Sequence, residues 1–230
     1  MKIEILEFVN GAKQAKGVVV IIDVFRAFSV ACYAFDSGAK QYLVVSDVKS
    51  AFELRKRYPN SVLVGEREER KIEGFDFGNS PTEILKANLE GATVIHTTTA
   101  GTNGLVNAEN ASVLLTGSFV NASAIVKYIK AIRPEHVSLI AMGYRAQTSA
   151  DEDVLCANLI SERLKDHQPD YQKQLFDLRT GSGSRFFNPS NLEFSPPTDF
   201  FLCTMIDRFN FVLKAERRYD GHICLIKTDI

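Results

Sequence analysis

Two periods of apolar residues alternate along the chain. Short runs of β-branched and aliphatic residues read as strands buried on both faces; between them, apolar residues recur every three or four positions and read as helices. The clearest run is Val18-Val19-Val20-Ile21-Ile22, and a helix is expected after it from Ala27 to Phe35, closing at Gly38. Tyr42 to Val45 reads as the next strand, and Asp47 to Tyr58 as an amphipathic helix stopped by Pro59. Strands follow at Ser61 to Val64, Thr93 to His96, Ser112 to Leu115 and Val137 to Ala141, with helices after Ser80, around Leu105 and from Asn121 to Ile132. Ser149 and Glu152 have the spacing of a capping box that opens a helix through Leu164.

Beyond Asp166 the pattern fades. Residues 167 to 198 are polar and rich in Gly, Ser, Asn and Pro, and read as a helix of undefined extent plus a long loop. Asp199 to Asp207 reads as helix, and Phe209 to Leu213 and His222 to Ile226 as closing strands. The alternation predicts a single α/β domain over residues 1–230: three layers, α/β/α, around a mostly parallel or mixed sheet, with a division into two lobes left open.

Composition narrows the partners. With 27 Lys and Arg against 28 Asp and Glu, the net charge of -1 gives no global attraction to nucleic acid or to an anionic membrane, so an anion site has to be local. Met1 to Leu6 carries Glu4 where a secretory signal would be apolar, and the run Val18 to Ile22 is far too short to span a bilayer, so a soluble cytoplasmic protein is expected. Cys32, Cys156, Cys203 and Cys224 form no CxxC pair, and none is followed by arginine at the spacing of a cysteine phosphatase loop. Their apolar neighbours predict buried, reduced thiols.

The candidate chemistry lies where strands end, because ligands of open α/β sheets bind at the carboxyl ends of strands. Asp23 ends the most apolar strand, where a carboxylate can coordinate Mg²⁺ or act as a base, and Arg26 can clamp a phosphate or carboxylate; the alternative is a helix cap and a surface pair. Gly65 to Glu83 is longer and more charged than a plain strand-to-helix connection, and it ends on Ser80 as N-cap, Pro81 at the first helical position and Glu83 completing a capping box, an arrangement suited to an anion. Thr97 to Gly104 offers hydroxyls and small residues at a helix start, where backbone N–H groups approach an oxyanion closely, without the GxxxxGK[ST] pattern of a Walker loop. Gly143 to Asp153 adds Tyr144, Arg145 and an acidic run that also suits a helix dipole. Together these loops carry the carboxylates Asp23, Glu66, Asp76, Glu152 and Asp153 and the cations Arg26, Arg67, Lys71 and Arg145. Hard oxygen donors without a His/Cys cluster favour Mg²⁺, and Mg²⁺ beside arginines suits a phosphate ester. His96 reads as a core histidine.

These segments, in this order, resemble the 2-phosphosulfolactate phosphatase (ComB-like) family. The resemblance rests on DVxRA at Asp23 to Ala27, GERxxxKxxGFDxGNSPxE at Gly65 to Glu83 and, less tightly, TTxxGT at Thr98 and Thr99 through Gly101 and Thr102, with weaker matches at Glu152-Asp153 and Asp199 to Val212. It implies a Mg²⁺-dependent α/β phosphatase that makes sulfolactate on a route to coenzyme M. Asp23, Arg26, Glu66 and Arg67 are then the catalytic candidates; Lys71, Asn79, Ser80, Thr98, Thr99, Gly101, Thr102 and Arg145 the substrate-binding ones; and Asp23, Glu66, Asp76, Glu152 and Asp153 the metal ligands. The partner expected is a small anionic phosphate ester, with homo-oligomerisation left open. The chain departs from the pattern at Ala100 (Asn expected), at Asn103 (Arg expected) and at Tyr144 to Thr148, where a Gly-Arg-Phe type loop is expected. Substrate choice is expected to shift at Ala100 and Asn103. A related enzyme with another phosphorylated substrate, and a non-catalytic phosphometabolite-binding protein, are the alternatives; the haloacid-dehalogenase phosphatases are disfavoured because no second Asp follows Asp23 at the required spacing.

Overall fold

A computed structural model of the chain describes residues 1–218 and 221–230. The chain runs through β1 (Lys2–Glu7), α1 (Phe8–Gln14), β2 (Gly17–Ile22), α2 (Ala27–Asp36), β3 (Gln41–Val44), α3 (Val48–Arg57), β4 (Ser61–Arg67) and β5 (Arg70–Lys71). It continues through α4 (Pro81–Ile84), β6 (Thr93–Thr97), α5 (Gly101–Asn107), β7 (Ala111–Gly117), α6 (Ala122–Ile132), β8 (His136–Ala141) and α7 (Asp151–Leu164). The last part holds α8 (Gln172–Asp177), α9 (Pro197–Thr204), β9 (Phe211–Arg217) and β10 (Ile223–Asp229), with short 3-10 turns at Ser184–Phe187 and Pro189–Asn191.

The strands form one mixed sheet in the order β1-β8-β2-β7-β9-β10-β3-β6-β4-β5. β1, β8, β2 and β7 are mutually parallel, as are β3, β6 and β4. The hairpin β9–β10 lies between these blocks and pairs antiparallel with β7 on one side and β3 on the other. Three antiparallel steps separate β7 from β3, so the two blocks run in opposite senses along the sheet. Their carboxyl ends would lie on opposite edges of a flat sheet, yet the Gly101 N–H, just after β6, donates to Asp23, just after β2, at 2.9 Å. The sheet therefore bends until the two carboxyl rims face each other.

Helix α2 fills the bend. Every residue from Ala27 to Phe35 is buried, and its core cluster draws on β2 through Val19 and Ile21, on β3 through Tyr42 and Val44, and on β6 through Val94. A helix apolar all round belongs inside rather than on a surface. α5 presses closely on the same block. A Cβ built at Gly104 would meet Ile21 Cγ2 and Met142 Sδ at 2.5 Å each, so glycine here permits a close helix–sheet approach.

The expected fold class holds: an α/β protein with a mixed, largely parallel sheet flanked by helices. Edge strand β1 and helix α1 are additions to the sequence reading, and α9 starts and ends earlier than the expected Asp199 to Asp207. The Ser149–Glu152 capping box does not form. Ala150 is the N-cap of α7 and makes no side-chain cap. Ser80 caps α4 as expected, accepting from the Glu83 N–H, but the Glu83 carboxylate accepts from the Gly78 N–H at 2.6 Å, and α4 is only four residues long. All four cysteines are buried and free. His96 is buried, its Nδ1 2.5 Å from the Tyr42 hydroxyl; burial, aided by Arg67, pushes its pKa down to about 3, so the ring is neutral. Among the described residues no helix is long and apolar enough to cross a membrane.

Gly104→Ala should destabilise the protein by about 1–3 kcal/mol, the usual cost of forcing a methyl group into a packed core. Denaturant unfolding checks this; an unchanged midpoint would show that the α5–sheet contact yields freely.

Candidate active site at the facing strand ends

Six carboxylates, one amide and three arginines surround a cleft between the two rims. Asp23, Glu66, Asn79, Thr98, Thr99, Ala100, Arg145, Glu152, Asp153 and Arg185 all line it, together with Phe25, Arg26, Glu68, Glu69, Gly143 and Tyr144. Asp23 is shared between two helix starts: Oδ1 accepts from the Ala27 N–H of α2 at 3.1 Å, and Oδ2 from the Gly101 N–H of α5 at 2.9 Å. First-turn N–H groups have no partner within their own helix, so a carboxylate placed there satisfies donors and dipole together. Asp153 ties two more loops, accepting from the Val24 N–H at 2.8 Å and the Gly143 N–H at 2.9 Å. Glu66 accepts from the Thr99 N–H at 3.2 Å, the Thr99 hydroxyl at 3.3 Å and the Glu69 N–H at 2.9 Å.

Glu152, in the first turn of α7, differs. It is buried, and its Oε2 has no hydrogen-bond partner among the described residues; the same holds for Asn79 Oδ1. Burial raises the proton affinity of this group of carboxyls. Asp23 is pushed up to about 6 by desolvation against the pull of its two backbone donors, with Glu66 and Glu152 adding repulsion. Asp153 is raised well above its ordinary value by burial and then by Glu152 and Asp23, and Glu152 is raised by burial against the Ser182 hydroxyl and Arg185. The cleft holds buried negative charge that the protein only partly compensates.

Two turns form its lips. Glu68 (φ 55°) and Glu69 (φ 70°) sit at the tip of the β4–β5 hairpin, where Arg67 pairs with Arg70. Arg145 (φ 55°) and Ala146 (φ 57°) occupy the corresponding places in the Tyr144–Thr148 turn. Left-handed conformations in both central positions are those of a type I′ turn, normally taken by Asn or Gly. The lips meet through Arg145–Glu68 at 3.6 Å, and Arg185 reaches Glu69 at 3.1 Å.

The structure relocates several expected site residues. Arg26 lines the cleft, but its Nη1 donates to Asp199 Oδ2 at 2.6 Å and to the Phe194 carbonyl at 2.7 Å, and the pair is 3% and 0% exposed. It is a buried ion pair rather than an open clamp. Asp199 Oδ1 in turn accepts from the Ser80 hydroxyl at 2.8 Å and the Thr82 N–H at 2.9 Å, so the start of α4 is occupied by an anion of the chain itself. Asp76 faces away, accepting from Arg55 at 3.2 Å and from the Leu63 N–H at 2.8 Å. Lys71 is exposed and opens onto a neighbouring groove with Glu83 and Glu193. Arg67 donates to the Glu66 carbonyl and the Thr97 hydroxyl behind the cleft wall. The N–H groups expected to meet an anion in Thr97 to Gly104 already have partners: Gly101 has Asp23, Thr99 has Glu66, and Thr98 has the Thr102 hydroxyl at 3.3 Å. Of the two departures in this segment, Ala100 lines the cleft, while Asn103 is exposed and turns back to the Thr99 carbonyl at 2.7 Å. Arg185 was not among the candidates. The Gly-Ser-Gly-Ser run before Arg185-Phe186-Phe187 signals a loop but not its destination.

Two outcomes follow from these charges. Asp199→Ala leaves the Arg26 guanidinium buried without its carboxylate and should cost about 3–5 kcal/mol, whereas the double change Arg26→Met with Asp199→Leu should recover much of that loss; denaturant unfolding of both variants measures it. Asp23 binds its proton more tightly folded than at its ordinary 3.8, so its contribution to stability is present below that value and is lost as pH rises through about 6. In chelator, the melting temperature of the wild type relative to Asp23→Asn should therefore fall between about pH 4 and 6, the window set by those two values. A difference independent of pH would contradict the raised affinity.

A family profile described as "2-phosphosulpholactate phosphatase" matches residues 4–186. A protein of Caldanaerobacter subterraneus subsp. tengcongensis named "Probable 2-phosphosulfolactate phosphatase" is 35% identical over 86% of this chain and 87% of its own length. A protein of the same name from Bacillus subtilis is 31% identical over 92% and 91%, and one from Carboxydothermus hydrogenoformans is 37% identical over 70% and 67%. The profile match runs through all the loops that build the cleft, and the chain belongs to the 2-phosphosulfolactate phosphatase family.

Proposed function

We propose that the cleft hydrolyses the phosphate monoester of a small acid, with 2-phosphosulfolactate as the leading substrate, giving sulfolactate and phosphate. The observation that carries the reading is the group of buried, incompletely compensated carboxylates beside Arg145 and Arg185, in a member of a phosphatase family. Oxygen-only donors suit a hard cation, and the unpartnered oxygens of Glu152 and Asn79 lie at the cleft. Among the described residues no three acidic, His or Cys side chains already stand close enough to hold a metal, so the carboxylates would draw inward around one. Asp23, Glu66 and Asp153, whose orientations are set by backbone donors, are the residues that would hold Mg²⁺, which when bound would polarise the phosphoryl oxygens and offset the carboxylate charge.

Glu152 differs from these three in having an oxygen free to turn toward a reacting water. Hydrolysis forms a bond from the water oxygen to phosphorus and breaks the bond from phosphorus to the ester oxygen; the water proton passes to a base, and the departing oxygen takes a proton from solvent, to which the base then releases its own. Glu152 takes the water proton in this reading, and its burial-raised proton affinity brings it nearer the range where a base works at neutral pH. Arg145 and Arg185 face the developing charge on the transferred group and the substrate's other acid groups.

Phosphate release from 2-phosphosulfolactate should require Mg²⁺, stop in chelator and resume when Mg²⁺ is restored. Glu152→Gln should lower kcat at least about 100-fold while Mg²⁺ still binds, and Asp153→Asn should weaken Mg²⁺ binding. No release from any phosphorylated small acid with Mg²⁺ present would remove the reading. Unchanged kcat in Glu152→Gln would remove Glu152 as the base.

A further inference from the structure

We propose that Arg185 receives a second acid group of the substrate, and that Glu69 holds that place while the cleft is empty. The proposal rests on the phosphatase reading and deepens it by assigning substrate selection to one side chain.

Arg185 differs from the other cleft arginines. Arg26 is sealed against Asp199 and the Phe194 carbonyl, and Arg145 is 45% exposed with its partner Glu68 at 3.6 Å. Arg185 is intermediate, 17% exposed and paired with Glu69, itself 21% exposed, at 3.1 Å. Its Nη2 donates to the Phe25 carbonyl at 3.0 Å, which fixes the plane of the guanidinium. Its Nε is buried and has no hydrogen-bond partner among the described residues. The group rests against Phe186, Phe25 and Tyr144, at 5.1, 6.0 and 5.9 Å from their ring centres, a setting that holds a planar cation in place. Arg185 is thus oriented and cleft-lining, with its Nε donor unused.

Its partner sits at the tip of the β4–β5 hairpin. Glu69 projects from a turn whose central residues both adopt left-handed backbone conformations without being Gly or Asn. Strain of this kind persists where surrounding contacts enforce it, and here they are the Glu69 N–H on Glu66 and the Glu69 carboxylate on Arg185. Exchanging the Glu69 carboxylate for an acid group of the ligand preserves the charge-assisted bond at Arg185. An acid presenting more than one oxygen can also engage the guanidinium in the two-pronged manner that arginine favours. 2-Phosphosulfolactate carries a sulfonate and a carboxylate besides its phosphate, so after the phosphoryl group is placed at the carboxylate-lined floor an acid group is left for this position.

The test compares 2-phosphosulfolactate with glycerol 2-phosphate, a monoester without a second acid group, in the wild type, Arg185→Lys and Arg185→Met, with melting temperatures to verify folding. The ratio of kcat/KM for the first ester over the second should fall at least about tenfold in both variants. Binding of sulfolactate, measured calorimetrically without turnover, should weaken by a similar factor. Glu69→Gln should lower KM for 2-phosphosulfolactate, because a neutral amide competes less well for the guanidinium. A parallel decline on both esters with unaltered sulfolactate binding would overturn the assignment of Arg185, and a raised KM in Glu69→Gln would overturn the exchange. Wild-type protein inactive on both esters would instead remove the phosphatase reading on which the proposal stands.

Discussion

The Asp23 carboxylate, shared between the first turns of α2 and α5, is the constraint on which the rest of the molecule depends. One of those helices follows a strand of the first parallel block and the other a strand of the second, so a single side chain pins the two rims together. Asp153 repeats the device between the β2 and β8 loops, and Glu66 between the hairpin tip and the β6 loop. Backbone donors make burial of these groups tolerable, because an unpaired buried charge would cost several kcal/mol. They do not neutralise it. The raised proton affinities of Asp23, Asp153 and Glu152 measure the charge that remains.

Buried charge here is of two kinds, and the difference separates scaffold from site. Asp199 answers Arg26 directly and also occupies the start of α4, so that network is satisfied within the chain. It binds the segment after Ser195 to the GNSP loop and to α2. The cleft carboxylates face one another instead, with Arg145 and Arg185 engaged mainly by the turn glutamates. Incomplete compensation in a cleft is the usual mark of a group kept for chemistry, whereas a closed buried pair more often serves structure. The antiparallel β9–β10 hairpin makes this arrangement possible, since it reverses the second block and lets the bent sheet bring both sets of strand ends to one place.

Much of this was legible locally. The β-branched run before Asp23 announces a buried strand with a carboxylate at its end, and Ser80-Pro81 announces a helix start; both are where the pattern puts them. What the sequence hides is partnership across distance. Arg26 reads as an open clamp because its carboxylate lies 173 residues away, and the N–H groups after β6 read as open anion donors because Asp23 lies 78 residues before them. Asp76 reads as a ligand from its place in a charged loop, while its side chain turns to Arg55. The Ser149–Glu152 spacing satisfies the capping rule, but Glu152 lines the cleft instead. β1 escaped notice because glutamates and a lysine interrupt its apolar residues, as suits an edge strand. Arg185 lies in a stretch with no periodicity to place it.

The most direct test of the central claim is a carboxyl ¹³C NMR titration of metal-free protein, with the Asp23 resonance assigned by comparison with Asp23→Asn. Uncompensated burial predicts that Asp23 titrates near 6 and that added Mg²⁺ moves its midpoint down. A midpoint at the ordinary aspartate value of about 3.9 without metal, or one indifferent to Mg²⁺, would contradict the account.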